Sequence, residues 1–241
     1  RLAVKRGYSV CISFLERNPF KNNTDVTAKK MDLRKEEEIN EFASYVIDLC
    51  RSGYRLTCLF NNAGVALGGP IENIPFEIFK ENYQVDLFGP ILLTQKLIPN
   101  LVESKGMILN NGSMAGRIAL PFLSPYASSK FALEGFTDSL RRELKPFGVR
   151  VVLIEPGAVA TPIWNKANDQ DDSFVDARYR KSLSEFKKKF VLSGNKGMEV
   201  REAARTIVDI MEKVNPKDRY IIAKNVVTSR LALLIPERIL D

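Results

Sequence analysis

The feature that most limits how this chain can fold is the regular exchange of short apolar runs for longer stretches of helical periodicity. Residues 9–15, 57–60, 107–110, 150–154 and 220–223 read as strands, several of them β-branched and bounded by Gly, Pro or Asn. Residues 35–51, 76–103, 126–145 and 201–214 read as helices, the third carrying Phe131, Leu133, Phe136 and Leu140 on one stripe. Alternation of this kind is the pattern of βαβ units, whose parallel strands need a crossover helix between them. The expected fold is α/β: a Rossmann-like, doubly wound parallel sheet with helices on both faces, in one domain over 1–241.

Composition narrows the chemistry. The 241 residues are 45% hydrophobic and 27% charged, which excludes disorder, collagen and coiled coil. They contain no histidine, which excludes Ser-His-Asp and Cys-His hydrolysis, HExxH metalloproteases and every His-containing zinc site. Cys11, Cys50 and Cys58 are too few for a four-thiolate site, so no metal is expected, and they read as reduced packing residues. Proton chemistry must therefore use Tyr, Lys, Cys or a carboxylate.

A net charge of +7 favours acidic partners, such as phosphate-bearing cofactors or an anionic membrane surface. No nucleic-acid motif is present, no apolar run approaches a spanning helix, and the first residues are not a signal peptide. The expectation is a cytoplasmic protein with no nucleic-acid partner. Peripheral membrane contact stays open through the apolar stretch 231–235. Residues 162–197 break the strand–helix rhythm, being long, polar and rich in Lys, Asp and Asn, with a candidate helix at 178–190. They read as a substrate lid or, for the Lys187–Lys189 run, a solvated helix face.

Without histidine, the acid/base candidates are Tyr126 and Lys130, at i and i+4 on one helix face. An adjacent ammonium favours phenolate, so Lys130 is expected to lower the Tyr126 pKa towards working pH. Three strand ends converge near them. Asn61-Asn62-Ala63-Gly64 follows one strand, Ser113 ends the next, and Pro156-Gly157 with Thr161 follows the third. Singly, each has a structural explanation as a turn, a cap or a chain reversal. In this order and spacing, those explanations together become improbable.

These residues resemble the short-chain dehydrogenase/reductase family, with its NNAG turn, serine, YxxxK and PG-x-V-x-T stretch. Residues 7–15, 61–64, 85–89 and 156–164 are similar to the branch holding retinol, hydroxysteroid and 3-hydroxybutyrate dehydrogenases, and the 236–241 tail looks like those of some members. The resemblance implies an NAD(P)-dependent oxidoreductase interconverting a secondary alcohol and a carbonyl. It gives Ser113 the substrate oxygen, Tyr126 the proton, and Lys130 the tyrosine pKa and the nicotinamide ribose. Asn61, Ala63 and Gly64 would line the adenosine side, Asp32 the adenine, and Pro156, Gly157 and Thr161 the nicotinamide end. It also implies a homodimer or homotetramer.

Two departures from the family pattern stand out. Asp86 occupies the place where the family has an Asn that serves the proton relay; if ionised, it would offset the effect of Lys130 on Tyr126 and move the pH optimum upward. The family's first strand and its TGxxxGxG turn have no counterpart before Arg1-Leu-Ala-Val-Lys-Arg-Gly7. This predicts a chain truncated at its N-terminus, with an unfilled position between strands 9–15 and 57–60 and weak dinucleotide binding.

The cofactor is expected to be NAD or NADP. Glu16, arriving before Arg17 at the end of the first strand, inclines the reading to NAD. The expected substrate is apolar (lipid, retinoid, steroid or hydrophobic ketone), with a small hydroxy acid possible if Arg178 or Lys181 reached a carboxylate. The alternative is a catalytically silent member that binds a nucleotide or a protein partner.

Overall fold

The computed structural model describes residues 1–20, 25–235 and 238. In chain order its elements are α1 (Leu2–Lys5), β1 (Val10–Phe14), β2 (Val26–Lys30), α2 (Glu36–Arg51), β3 (Cys58–Asn61), α3 (Phe76–Tyr83), α4 (Gly89–Ser104), β4 (Met107–Asn111), α5 (Ser124–Leu144), β5 (Arg150–Pro156), α6 (Ile163–Asn168), α7 (Ala177–Asn195), α8 (Val200–Met211), β6 (Arg219–Ile222) and α9 (Val226–Ala232). Apart from residue 238, the 236–241 tail lies outside the described residues.

Among the described residues every strand pairing is parallel. β1 and β2 form one two-stranded sheet, and β3-β4-β5-β6 form another, in that order. β1 and β3 belong to separate sheets and are not hydrogen-bonded to each other. Strand β2 had no apolar signature because it is an outer strand: Val26 is buried, whereas Thr27 and Lys30 face solvent. A charged edge is what discourages further strand pairing.

In the four-stranded sheet, period-2 alternation buries both faces. Leu59, Ile108 and Val151 join a core with Phe42 and Val46 of α2, Leu97 and Leu101 of α4, and Leu140 of α5. Met107, Leu109, Val152 and Ile154 face the other way, against Ala203 and Ile210 of α8. Strands covered on both faces read as continuous apolar runs, which is why they were legible. Burial pushes the Cys58 thiol up to about 12 and the Cys11 thiol up to about 11, in keeping with their reading as packing residues.

The single helix expected over 76–103 is two helices joined by a π-turn at Gln84–Phe88. Pro90 lacks an N–H, so the ladder restarts there, and a Cβ on Gly89 would come within 2.8 Å of Leu33. The consequence for the site is that Asp86, inside the π-turn, points inward and is buried.

Candidate active site

Because the strands run parallel, the C-terminal ends of β3, β4 and β5 share one edge, the usual ligand edge of such sheets. Ser113 lies two residues past β4 and caps a short 3-10 turn, its Oγ accepting from the Ala115 amide at 3.0 Å. Tyr126 and Lys130 come from the first turns of α5. Lys130 is buried, its Nζ donating to the Asn111 carbonyl at 3.1 Å and lying 5.7 Å from the Tyr126 ring centroid.

The fourth group is Asp86. Its Oδ1 accepts from the Val65 amide at 3.0 Å and lies 3.7 Å from Lys130 Nζ, while Oδ2 accepts from Ser129 Oγ at 3.2 Å. Desolvation raises the Asp86 carboxyl above its ordinary value, and Lys130 pulls it back. The expectation that Lys130 lowers the Tyr126 pKa is corrected here. Desolvation pushes the phenol up, the Asp86 charge adds to this, and a side-chain hydrogen bond with Ser113 acts in the opposite direction. The physical reason is first burial, which makes the ionised phenol costly, and second the Asp86 charge, which also opposes the ammonium beside the ring.

Beneath this edge runs a buried chain of side-chain hydrogen bonds that sequence reading missed. Asn61 Nδ2 donates to Thr94 Oγ1 at 3.0 Å and to Asn110 Oδ1 at 2.8 Å. Asn110 Nδ2 donates to Thr137 Oγ1 at 2.9 Å, which donates to the Leu133 carbonyl at 2.6 Å. The Asn61 side chain is thus occupied below the sheet edge, linking β3 and β4 to α4 and α5. Only polar residues inside otherwise apolar strand and helix patterns hinted at it.

The remaining candidates are placed as follows. Ala63 is exposed on the turn after β3, and Gly64 lies over the acid–base pair, where a Cβ would stand 3.0 Å from Asp86 Oδ1 and 3.5 Å from Lys130 Nζ. Asp32 is buried, and both its oxygens accept from Arg34, which holds its carboxyl below the usual range. Pro156 ends β5, and the Gly157 amide donates to the Ile222 carbonyl at 2.9 Å. Thr161 follows a stretch bonded to Met198, Ala160 N donating to the Met198 carbonyl at 2.9 Å.

Within residues 162–197, the helix expected at 178–190 is present and longer, and a second one precedes it. These two helices, α6 and α7, are joined by an aromatic ladder: Trp164 and Phe190 at 4.8 Å, Phe190 and Phe186 at 5.4 Å, and Phe186 and Phe122 at 5.7 Å. Gln170 ties this segment to the loop after β3, accepting from the Gly68 amide at 3.0 Å and donating to its carbonyl at 2.6 Å. Glu72 binds Arg178 and Tyr179, so Arg178 is already taken by a carboxylate.

A parallel sheet wrapped by helices, with Ser113, Tyr126, Lys130 and Asp86 gathered at its C-terminal edge, defines the class: a doubly wound, Rossmann-like α/β protein. The short chain dehydrogenase family pattern matches residues 8–172, and the chain belongs to that family. It is 39% identical over 192 residues to the NADPH-dependent 3-dehydrocapnine reductase of Ornithobacterium rhinotracheale, covering 77% of this chain and 68% of that one. It is 32% identical over 200 residues to the NADPH-dependent 1-acyldihydroxyacetone phosphate reductase of Saccharomyces cerevisiae, covering 82% and 66%. The fold matches a short-chain dehydrogenase from Streptomyces avermitilis with a TM-score of 0.79 at 24% identity, over 97% and 86% of the two chains. The protein is accordingly an NAD(P)-dependent oxidoreductase. No helix among the described residues is long and apolar enough to cross a membrane.

Proposed function

We propose that this protein interconverts a secondary alcohol and a carbonyl on an apolar substrate, with Ser113, Tyr126 and Lys130 as the acting side chains. The observation that carries the reading is the meeting of Tyr126 with Lys130 and Ser113 at the edge of a parallel sheet. The residues fit a dinucleotide at its nicotinamide end: Gly64 leaves the space of a Cβ beside Lys130, and the buried Oδ1 of Asn111 has no hydrogen-bond partner among the described residues, leaving an acceptor for a ligand donor.

When bound, the nicotinamide supplies or accepts the hydride. Ser113 holds the substrate oxygen where negative charge grows. In reduction Tyr126 gives its proton to that oxygen, and in oxidation its phenolate takes the proton away. Lys130 holds the ribose and, beside the Tyr126 ring, offsets part of the burial and of the Asp86 charge that disfavour the phenolate. On this reading Ala63 and Gly64 border the adenosine side with Asn61 braced beneath them, Asp32 meets the adenine end with its carboxylate held by Arg34, and Pro156, Gly157 and Thr161 border the nicotinamide.

Glu16, exposed just past β1, supports NAD, because its carboxylate repels a ribose phosphate. The adjacent Arg17 and the NADPH named for two relatives pull the other way. The apolar substrate is supported by the Phe122, Phe186 and Phe190 ladder over the site, and the acyl compound named for the yeast relative agrees with it. A homodimer or homotetramer in the cytoplasm completes the reading; Phe88 and Phe131, 51% and 46% exposed, offer apolar surface for assembly.

The test is a panel of hydrophobic alcohols and ketones with both cofactors. Turnover of a secondary alcohol or its ketone supports the reading. Dinucleotide binding without turnover across the panel favours the silent, binding-only member instead.

A further inference from the structure

A cavity of about 370 Å³ opens beside α7, bordered by Asp172, Arg180, Leu183, Ser184, Lys187 and Lys188. The volume is within the range of small-molecule sites. Arg180, Ser184 and Lys188 recur every four residues, so the helix presents all three on one stripe, with Leu183 and Lys187 on the next. Lys187 Nζ is held by Asp172 Oδ2 at 2.6 Å. The other two cations have no such partner: Arg180 Nε donates to the Val175 carbonyl at 3.2 Å, and among the described residues neither Arg180 nor Lys188 lies within 4.0 Å of a carboxylate. Three cations against one carboxylate around a concave volume favour an anionic ligand.

The ridge formed by Leu183 and Lys187 also borders a second, apolar crevice, lined by Ala66, Phe122, Leu123, Phe186 and Phe190. That crevice is closed to about 20 Å³, and Leu123 immediately precedes α5, which carries Tyr126. The apolar crevice and the basic cavity share Asn168, Leu183 and Lys187 along their common border. Seating a ligand body along the wall requires the Phe122–Phe186 contact to part.

We infer that the lid holds a subsite for an anionic end-group, so that the substrate is an amphiphile: an apolar body against Phe122, Leu123, Phe186 and Phe190, and a phosphate, sulfonate or carboxylate at Arg180 and Lys188. Calling this ligand the substrate rests on the oxidoreductase reading; the subsite itself does not. Arg178, the sequence candidate for binding a carboxylate, cannot serve while Glu72 holds it.

Calorimetry on the 241-residue protein with octyl phosphate, octanol and inorganic phosphate tests the inference. Octyl phosphate is expected to bind at least about tenfold more tightly than either of the others. An Arg180→Gln/Lys188→Gln double variant loses about tenfold for octyl phosphate and nothing for octanol, while Lys189→Gln, on the same helix outside the cavity, changes neither. Equal affinity for octanol and octyl phosphate overturns the subsite, as does a double variant that binds like the parent. Capture on phosphatidylserine vesicles without binding of octyl phosphate overturns it too, in favour of a membrane-facing patch. Because binding and not turnover is read, Tyr126→Phe protein must give the same result, which separates failure of the subsite from failure of the proposed reaction.

Discussion

Lys130 Nζ stands 3.7 Å from Asp86 Oδ1, and neither side chain is more than 3% exposed, so the cation beside the Tyr126 ring is already opposed by a carboxylate. Oxidation needs the phenolate, and a nearby negative charge disfavours it, so the protein should require a higher pH than one with a neutral group at this position. In Asp86→Asn the acidic, ascending limb of the oxidation pH–rate profile should move down by about one pH unit. Superimposable profiles would show that Asp86 does not act on Tyr126.

Tyr126→Phe removes the phenolic proton while keeping the ring beneath Lys130. Turnover should fall by a factor of about 10² to 10⁴, with dinucleotide affinity within about twofold of the parent. Steady-state rates and a binding titration on the same preparation check this. Undiminished turnover would move the proton transfer to another group.

Arg219 reaches across 85 residues to bind Glu134, and also Asp138 at 2.8 Å and Glu155 at 3.1 Å. Burial raises the Glu134 carboxyl from 4.5 to about 7, Arg219 opposes this and the charge of Glu155 adds to it. Between those two pH values the folded protein binds more protons than the unfolded chain, so this group makes stability fall as pH rises through the window. Glu134→Gln cannot titrate. Urea unfolding at pH 5 and pH 8 should show the difference in stability between parent and variant changing by about 1–2 kcal/mol, in the sense that the parent loses more on going to pH 8. A difference that is the same at both pH values would contradict the assignment.

Trp164 is the sole tryptophan and packs directly on Gly194, where a Cβ would lie 2.1 Å from the indole. Gly194→Ala must displace either the ring or the end of α7. Its emission should shift to the red and become more accessible to iodide, with far-UV circular dichroism unchanged. Unaltered emission would mean that the α6–α7 contact absorbs a methyl without moving.

Much of the scaffold was legible because its signals are local. Arg150–Pro156 is buried along most of its length and reads as a strand wherever the chain takes it; Tyr126 and Lys130 are neighbours on any helix. The strand Val26–Lys30 was not legible, since an outer strand with two lysines has no buried face to mark it. Nor was the π-turn at Gln84–Phe88, although Gly89-Pro90 marked the break.

By itself, then, the sequence determined the α/β class, the absence of histidine chemistry and the placing of Tyr126 and Lys130 one turn apart on a helix, because periodicity and short spacing carry that information. Tertiary structure alone decided that Asp86 faces Lys130, that Asn61 is tied to Thr94 and Asn110, that Gln170 clamps Gly68 from 102 residues away, and that Arg180 and Lys188 border one cavity with no carboxylate within 4.0 Å of either among the described residues. Those relationships join residues distant along the chain. Burial and the competition for hydrogen-bond partners settle such contacts, and no local pattern records them.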